Sequence, residues 1–86
     1  MRLEFNPQAF DDLQYWVQLQ PKIAKRILRM IEETLRDPSS GIGKPEPLKN
    51  ELSGCWSKRI DEEHRLVYRV EGEKLIIMQC RFHYKK

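Results

Sequence analysis

The C-terminal third of the chain reads WSKRIDEEHRLVYRVEGEKLIIMQCRFHY from Trp56 to Tyr84. Short polar joins separate three β-rich runs in and just before this stretch, which is the pattern of an antiparallel meander. The runs are Cys55–Asp61, His64–Val70 and Lys74–Tyr84. Because successive side chains of a strand point to opposite faces, each run has one mostly apolar face and one face that carries arginine. The sequence therefore predicts paired strands with a cationic surface.

Strand alternation assigns each side chain of this stretch to one face of the predicted sheet. The polar face is predicted to carry Ser57 and Arg59, then Arg65, Val67 and Arg69, then Gln79, Arg81 and His83. The apolar face is predicted to carry Trp56, Lys58 and Ile60, then Leu66, Tyr68 and Val70, then Met78, Cys80, Phe82 and Tyr84. Several arginines and a histidine on one surface indicate a site that binds a polyanion and transfers a proton.

The first half of the chain predicts one strand and two helices. Apolar and charged residues alternate over residues 1–5, which indicates a short strand at or beside a sheet edge. Asn-Pro and Gln-Pro pairs mark helix starts, so helices are predicted over residues 7 to about 19 and 22 to about 36. Their apolar stripes are predicted to contain Phe10, Leu13, Trp16 and Val17 in the first helix, and Ile23, Ile27, Met30, Ile31 and Leu35, widened by Ala24 and Leu28, in the second.

The resulting order of elements is β-α-α-β-β-β. Two N-terminal helices covering one face of a small, mainly antiparallel sheet make an α+β fold. A chain of 86 residues forms one domain, so residues 1–86 are predicted to fold together.

A long connection with three prolines joins the second helix to the sheet. It runs from residue 37 to residue 47, and connections of that length in a small domain are usually functional or disordered. Pro45 and Pro47 flank Glu46, and each proline restricts its own backbone and that of the preceding residue. The carboxylate of Glu46 is therefore displayed on a stiffened segment. A helical turn that carries Lys49 is predicted over residues 48–52.

Composition and cysteine usage indicate a small cytoplasmic protein. The formal net charge is +3 and the pI about 9.0, which is compatible with an anionic partner such as nucleic acid. Cys55 and Cys80 form neither a CxxC pair nor a zinc spacing, so both are predicted to be free thiols. The sequence shows no signal peptide and no apolar stretch of about 20 residues, so no membrane contact is expected.

The available residue types point to acid–base chemistry on a charged substrate. The sequence shows no HxxxH pair, carboxylate cluster or GxSxG elbow, and what remains is a loop glutamate, a histidine and several arginines. RNA cleavage suits such a set, because the 2′-OH of the substrate is itself the nucleophile and the protein need only supply a base, an acid and cations. Glu46 and His83 are the candidate acid–base residues.

Each candidate also has an ordinary structural explanation. Glu46 can be a solvated loop carboxylate, and His83 a surface histidine. The arginines of the sheet can simply pair with acidic neighbours; these residues are Arg59, Arg65, Arg69 and Arg81 on one side and Asp61, Glu62 and Glu63 on the other. The residues alone therefore predict an anion-binding α+β domain, for which RNA is one candidate ligand.

Five segments together resemble the YoeB (Txe) toxins, a branch of the RelE superfamily of type II toxin–antitoxin ribonucleases. They are GKPEPLK at 43–49, LSG at 52–54, WSKRI at 56–60, EEHRLVY at 62–68 and CRFHY at 80–84. Asp11-Asp12 and Tyr15-Trp16 fit the same pattern, and the likeness covers nearly the whole chain. The chain departs from it in three places: Cys55 stands where relatives often have an aromatic residue, Lys58 replaces an arginine, and Lys85-Lys86 extend past the usual terminal aromatic residue.

The resemblance implies a microbial-ribonuclease-like α+β fold and an enzyme that cleaves mRNA in the ribosomal A site without a metal or cofactor. It further implies that Glu46 is the general base, that His83 is the general acid and that Arg65 stabilises the transition-state phosphate. Four residues are implied to handle the substrate: Lys49 and Arg59 hold its backbone, Tyr84 positions the scissile region and Glu63 orients neighbouring groups.

The resemblance also implies partners. A cognate acidic antitoxin of the YefM/Axe type is expected to fold its disordered C-terminal region onto the toxin. The complex is expected to repress its own operon, with the antitoxin making most contacts to operator DNA, and the toxin is expected to form homodimers and to act on the ribosome and mRNA. Two alternatives are a non-catalytic RelE-like module that acts as a co-repressor or translation blocker, and a basic domain that binds DNA directly.

Overall fold

The structure, a computed structural model, describes residues 1–83. Within these residues the chain forms two α-helices and a five-stranded sheet. The elements are β1 (Arg2–Phe5), α1 (Pro7–Leu19), α2 (Pro21–Arg36), β2 (Glu46–Pro47), a 3₁₀ turn (Asn50–Leu52), β3 (Cys55–Arg59), β4 (Arg65–Glu71) and β5 (Lys74–Gln79). The predicted α+β class is confirmed, and so is the edge position of β1.

The sheet order is β1-β5-β4-β3-β2, in which β1 is parallel to β5 and the other pairs are antiparallel. The two-residue strand β2 was not predicted, so the order β-α-α-β-β-β lacks one element. β2 is short and contains a proline, which has no N–H to donate and is therefore tolerated only at an edge. Its pairing places Glu46 opposite Ser57 and Pro47 opposite Trp56.

Both helices begin as their sequences indicate. The side chain of Asn6 accepts a hydrogen bond of 2.8 Å from the Ala9 N–H and so caps α1. Helix α2 begins at Pro21 rather than at Lys22, because proline fits the first helical position. The helical turn after β2 begins at Asn50, later than predicted, and Lys49 precedes it in an extended conformation.

The main core lies between the two helices and one face of the sheet. α2 contributes most of its predicted stripe, whereas α1 buries a narrower and partly different set. Phe10 and Val17 are 53% and 54% exposed, and Leu28 of α2 is 50% exposed, so these three predictions were wrong. The residues that α1 buries are Ala9, Asp12 and Trp16, which follow one another at three- and four-residue intervals and make one narrow stripe.

A smaller apolar cluster covers part of the opposite face of the sheet. Leu48, Cys55 and Val67 are buried there, with Leu52 and Met78 packed against them. The position of Met78 contradicts the predicted alternation. Val67 pairs with Gln79 and Tyr68 with Ile77, so Met78 is the extra residue of a bulge, which reverses side-chain parity beyond it.

The last predicted strand also ends early. β5 stops at Gln79, so residues 80–83 do not continue the alternation toward Tyr84. Arg81 was predicted to lie on the polar face, but its guanidinium lies 3.5 Å from the centre of the Tyr15 ring of α1. Phe82 adopts a positive φ of 66°, which turns the chain away from the strand direction.

Candidate active site

One small cleft on the open face of the sheet brings a carboxylate and two guanidinium groups together. Its volume is about 80 Å³, and its lining residues are Gly43, Lys44, Glu46, Ser57, Arg59 and Arg65. The strand register explains the set: Glu46 is paired with Ser57, and Arg59 lies directly opposite Arg65. Paired residues share a face, so β2, β3 and β4 present these groups side by side.

Backbone hydrogen bonds fix the segment that carries Glu46. The Arg59 N–H donates to the Gly43 carbonyl at 2.6 Å, and the Leu48 N–H donates to the Cys55 carbonyl at 2.9 Å. Gly43 has a φ of 94°, and an added Cβ there would lie 2.7 Å from the Arg59 carbonyl oxygen. Only glycine allows this close approach without displacement, so Gly43 determines where the chain enters β2.

Arg65 links the cleft to the C-terminal segment. Its Nη1 donates to the carbonyl oxygens of Asp61 at 2.9 Å and of His64 at 3.1 Å, which orients the guanidinium from the β3–β4 connection. Its backbone N–H donates to the Phe82 carbonyl at 3.0 Å. One residue therefore contributes a side chain to the cleft and holds the residue that precedes His83.

His83 lies outside that cleft. It is exposed and lines a neighbouring hollow of about 390 Å³. The other residues that line this hollow are Gln8, Asp12, Leu52, Gln79, Arg81 and Phe82, none of which lines the Glu46 cleft. The structure thus brings Glu46, Arg59 and Arg65 together and places His83 in the adjoining hollow, beyond the Phe82 carbonyl that Arg65 binds.

The remaining residues implied by the resemblance lie at the periphery. Lys49 is exposed just before the 3₁₀ turn. Glu63 is exposed in the β3–β4 connection, and its Oε1 lies 3.9 Å from Nε2 of His64. Neither residue lines the two hollows. Tyr84 lies outside the described residues.

Besides the neighbouring Gln79, three side chains from elsewhere in the chain bind the backbone of residues 80–82, and sequence reasoning predicted none of these contacts. Asp12 accepts a 3.0 Å hydrogen bond from the Cys80 N–H, and the Trp16 Nε1–H donates to the Cys80 carbonyl at 2.8 Å. Nδ1 of His64 accepts a 2.7 Å bond from the Phe82 N–H. The one available signal was the presence of an aspartate on the buried side of α1, four residues before Trp16.

A buried lysine ties the long connection to the core. Lys58 is fully buried, as its predicted face requires, and its Nζ donates to Thr34 Oγ1 at 2.7 Å and to the Ser40 carbonyl at 2.6 Å. Burial lowers the pKa of Lys58, and the carboxylates of Glu33 and Asp37 oppose part of that shift. These bonds anchor the start of the connection that later carries Glu46.

Both cysteines are free, as predicted, and both are buried. Burial raises the pKa of the Cys80 thiol to about 12, and the negative charge of Asp12 adds to the shift. Among residues 1–83 there is no group of three or more His, Cys, Asp or Glu side chains arranged to hold a metal ion. No helix in that range is long and apolar enough to cross a membrane.

The sequence and the fold match those of a known family of proteins. A protein-family model described as "YoeB-like toxin of bacterial type II toxin-antitoxin system" matches residues 5–84. The chain belongs to this YoeB family. The resemblance noted in the sequence is therefore confirmed.

Individual YoeB proteins are similar over almost the full length. Toxin YoeB of Mycobacterium bovis is 52% identical over 82 residues, which are 95% of this chain and 96% of that protein. A YoeB/ParE toxin from Agrobacterium tumefaciens has a TM-score of 0.94 at 43% identity, covering 98% of this chain and 100% of that one. YoeB of Staphylococcus aureus is 42% identical, covering 98% of both chains, with TM-scores of 0.88 in a heterotetrameric YoeB–YefM complex and 0.89 in a YoeB dimer.

Proposed function

We propose that this YoeB-family toxin is a ribosome-dependent endoribonuclease that cleaves mRNA in the A site and so inhibits translation. The observation that supports the proposal is the cleft in which Glu46 lies with Arg59 and Arg65. A carboxylate beside two guanidinium groups suits a substrate that carries a negative phosphate and a hydroxyl group to be deprotonated. The chemistry needs neither a metal nor a cofactor, because the nucleophile belongs to the RNA.

In the proposed reaction, Glu46 accepts the proton of the ribose 2′-OH. The 2′-oxygen then attacks the adjacent phosphorus, the bond from phosphorus to the 5′-oxygen breaks, and a 2′,3′-cyclic phosphate forms. Protonated His83 donates its proton to the departing 5′-oxygen. The guanidinium of Arg65 donates hydrogen bonds to the phosphate oxygens as negative charge accumulates on them.

The positions of the residues suggest how RNA would lie on the toxin. Base and acid act on opposite sides of the phosphorus. Arg65 lines the cleft of Glu46, and its backbone N–H binds the carbonyl of Phe82, which lines the hollow of His83. The scissile phosphate is therefore placed at Arg65, with its 2′-OH toward Glu46 and its 5′-oxygen toward His83. In this proposal Lys49 and Arg59 hold the RNA backbone, Tyr84 positions the scissile region and Glu63 orients its neighbours.

The partners follow from the relatives and from the charge of the chain. The S. aureus YoeB forms a complex with YefM and also a dimer. We extend both assemblies to this toxin: an acidic YefM/Axe-like antitoxin inhibits it in the cytoplasm and makes most contacts to operator DNA, and two toxin chains form a homodimer. A net charge of +3 favours an acidic partner.

One observation favours a second candidate function. Because His83 lines a hollow separate from the Glu46 cleft, the described residues also suit a RelE-like module that binds the ribosome or acts as a co-repressor without cutting RNA. Cleavage products distinguish the two functions directly.

The test compares wild type, Glu46→Gln and His83→Ala in a translating extract that contains a reporter mRNA. Mapping of new 5′ ends should show cuts at translated codons with the wild-type toxin. Each variant should reduce the cleavage rate roughly 10²-fold or more, which is the usual contribution of a general base or acid. Glu73→Gln is the matched control, because Glu73 is an exposed carboxylate in the β4–β5 turn. Equal arrest of translation by all four proteins without new 5′ ends would disprove cleavage and favour the non-catalytic module.

A further inference from the structure

The turn that leads into His83 depends on His64. Phe82 has a φ of 66°, a conformation that L-residues with bulky side chains seldom adopt without support from their surroundings. Two main-chain groups of Phe82 receive that support: its N–H donates to Nδ1 of His64, and its carbonyl accepts from the N–H of Arg65. His64, which precedes β4, and Arg65, which is its first residue, thus bind the two main-chain groups of Phe82.

The imidazole of His64 is itself held in place. The backbone N–H of His64 donates to Oδ1 of Asp61 at 2.7 Å, and the side chain of His64 is 12% exposed. Its ring packs edge-on against Trp16, with ring centres 4.8 Å apart and an interplanar angle of 83°. Because Nδ1 accepts the Phe82 N–H, the neutral ring carries its proton on Nε2, on the side of Glu63.

We propose that His64 is a positioning residue, which fixes the backbone immediately before His83 so that the imidazole of His83 reaches the phosphate held by Arg65. This inference rests on the proposed function, in which His83 is the general acid. His64 touches neither the substrate nor the reacting atoms. Its contribution is a single acceptor nitrogen at the residue next to the acid.

His64 differs in this respect from Asp12 and Trp16, whose side chains also hold the segment. Asp12 and Trp16 are buried in the main core and bind Cys80, three residues before His83. His64 acts at an exposed turn, on the residue adjacent to the acid. Loss of its acceptor should therefore change the placement of His83 while the core stays folded.

Two substitutions separate the acceptor from the ring. His64→Phe keeps an aromatic ring to pack against Trp16 but offers no acceptor, whereas His64→Asn loses the ring but places an amide oxygen near the position of Nδ1. On ribosomes programmed with a short mRNA, His64→Phe should lower kcat roughly 10- to 100-fold, as a misplaced catalytic group does, with little change in KM. His64→Asn should recover most of that loss. Ile27→Val, a trimmed core residue remote from the turn, should leave both constants unchanged.

The double variant with His83→Ala distinguishes positioning from destabilisation, because only a positioning role predicts that the two losses of activity do not add. If His64 acts through His83, His64→Phe should add little to the loss already caused by His83→Ala. Losses that multiply in full would overturn the proposal, and so would wild-type kcat in His64→Phe. If His64→Phe does not fold, His64→Gln, whose amide lies nearer the position of Nε2, takes its place in both comparisons.

Failure of the proposed function would be visible separately. If His83→Ala cleaves mRNA as fast as wild type, His83 is not the acid and the proposed mechanism fails first. Amide hydrogen exchange then still tests the contact itself: the Phe82 N–H should exchange at least about 10-fold faster in His64→Phe than in His64→Asn, as expected for an amide that has lost its acceptor. Equal exchange rates would refute the positioning role of His64.

Discussion

The segments that carry Glu46 and His83 are held in opposite ways. Main-chain hydrogen bonds to β3 fix the Glu46 segment on either side, at Gly43 and at Leu48. Side chains from α1 and from the β3–β4 connection bind backbone groups of Cys80 and Phe82, and together with one main-chain bond from Arg65 they hold the His83 segment. The proposed base thus lies on an edge strand of the sheet, and the proposed acid follows a turn that side chains of other elements hold in place.

This difference determines which substitutions each segment should tolerate. Main-chain pairing does not depend on side-chain identity, except where glycine is required, so the Glu46 segment should accept most changes outside its functional residues. The His83 segment depends on the neighbouring side chain of Gln79 and on three side chains that are distant in the sequence, those of Asp12, Trp16 and His64. Substitutions at positions far from His83 in the sequence should therefore disturb the geometry of the His83 segment.

The largest expected effect concerns Arg65, which contacts both segments. Arg65→Lys keeps the positive charge but loses the planar fork that binds phosphate and the carbonyls of the β3–β4 connection. Cleavage of mRNA on programmed ribosomes should fall roughly 100-fold, as it does when one transition-state donor is removed. The variant should bind the antitoxin and melt nearly as wild type does.

Arg69→Lys is the matched control for this prediction. Arg69 lies on the same strand and pairs with Glu71, outside the cleft. Its replacement should leave cleavage unchanged. Equal losses in the two variants would mean that general charge, rather than the fork at position 65, supports the reaction.

A second prediction tests whether backbone geometry alone holds the Glu46 segment. Gly43 and Gly54 have nearly the same φ, 94° and 93°, but a Cβ at Gly43 would meet the Arg59 carbonyl at 2.7 Å, whereas nothing lies within 4 Å of one at Gly54. Gly54→Ala should cost about 1 kcal/mol of unfolding free energy, the strain of a left-handed alanine. Gly43→Ala should cost about 2 kcal/mol or more, because the clash adds to the strain.

Urea denaturation of the two variants measures this difference. Gly43→Ala should also reduce cleavage, because the chain can no longer enter β2 in the same register. Equal destabilisation by the two alanines would show that the close approach of Gly43 to the Arg59 carbonyl does not affect the free energy of unfolding. The idea that backbone geometry holds the Glu46 segment would then be wrong.

The smallest expected effect is a loss of stability at alkaline pH that is caused by Cys80, three residues before His83. The Cys80 thiol keeps its proton in the folded protein up to a pKa of about 12, whereas an unfolded thiol loses it near 9.0. Between these values the folded state binds more protons, so the free energy of unfolding falls as the pH rises. The loss attributable to Cys80 should reach about 1 kcal/mol by pH 10.

Cys80→Ala isolates this contribution. Denaturation curves at several pH values should show a shallower decline for the variant between pH 9 and pH 10, whatever its overall stability. Lys58 and Tyr68 are present in both proteins, so their own titrations cancel in the difference. Parallel declines would mean that the buried thiol does not influence the pH dependence.

Much of the fold was predictable from local periodicity. A period of two marked β3 and β4 and placed Arg59 and Arg65 on one face, and a stripe of period 3.6 marked α2. Both predictions depend only on residues that are close in sequence, and a periodic pattern reports on the local structure of such residues. The family resemblance added candidate roles for Glu46, Arg65 and His83, but these roles remain proposals.

Other features were not predictable, because they arise from contacts between distant parts of the chain. Strand β2 is two residues long and exists only because β3 offers it an edge. The bulge at Met78 results from the pairing of β4 with β5, and it moved Met78 to the face opposite the predicted one.

By itself, then, the sequence determined both helices, every strand except β2, the cationic face of the sheet and the family, since alternation, helix caps and motifs act over a few residues. Only the tertiary structure decided that Asp12, Trp16 and His64 clasp the turn before His83 and that Lys58 anchors the long connection. These are hydrogen bonds between groups that are distant in the sequence, so they form only where the fold brings the partners together. No local pattern in the sequence specifies which partners those are.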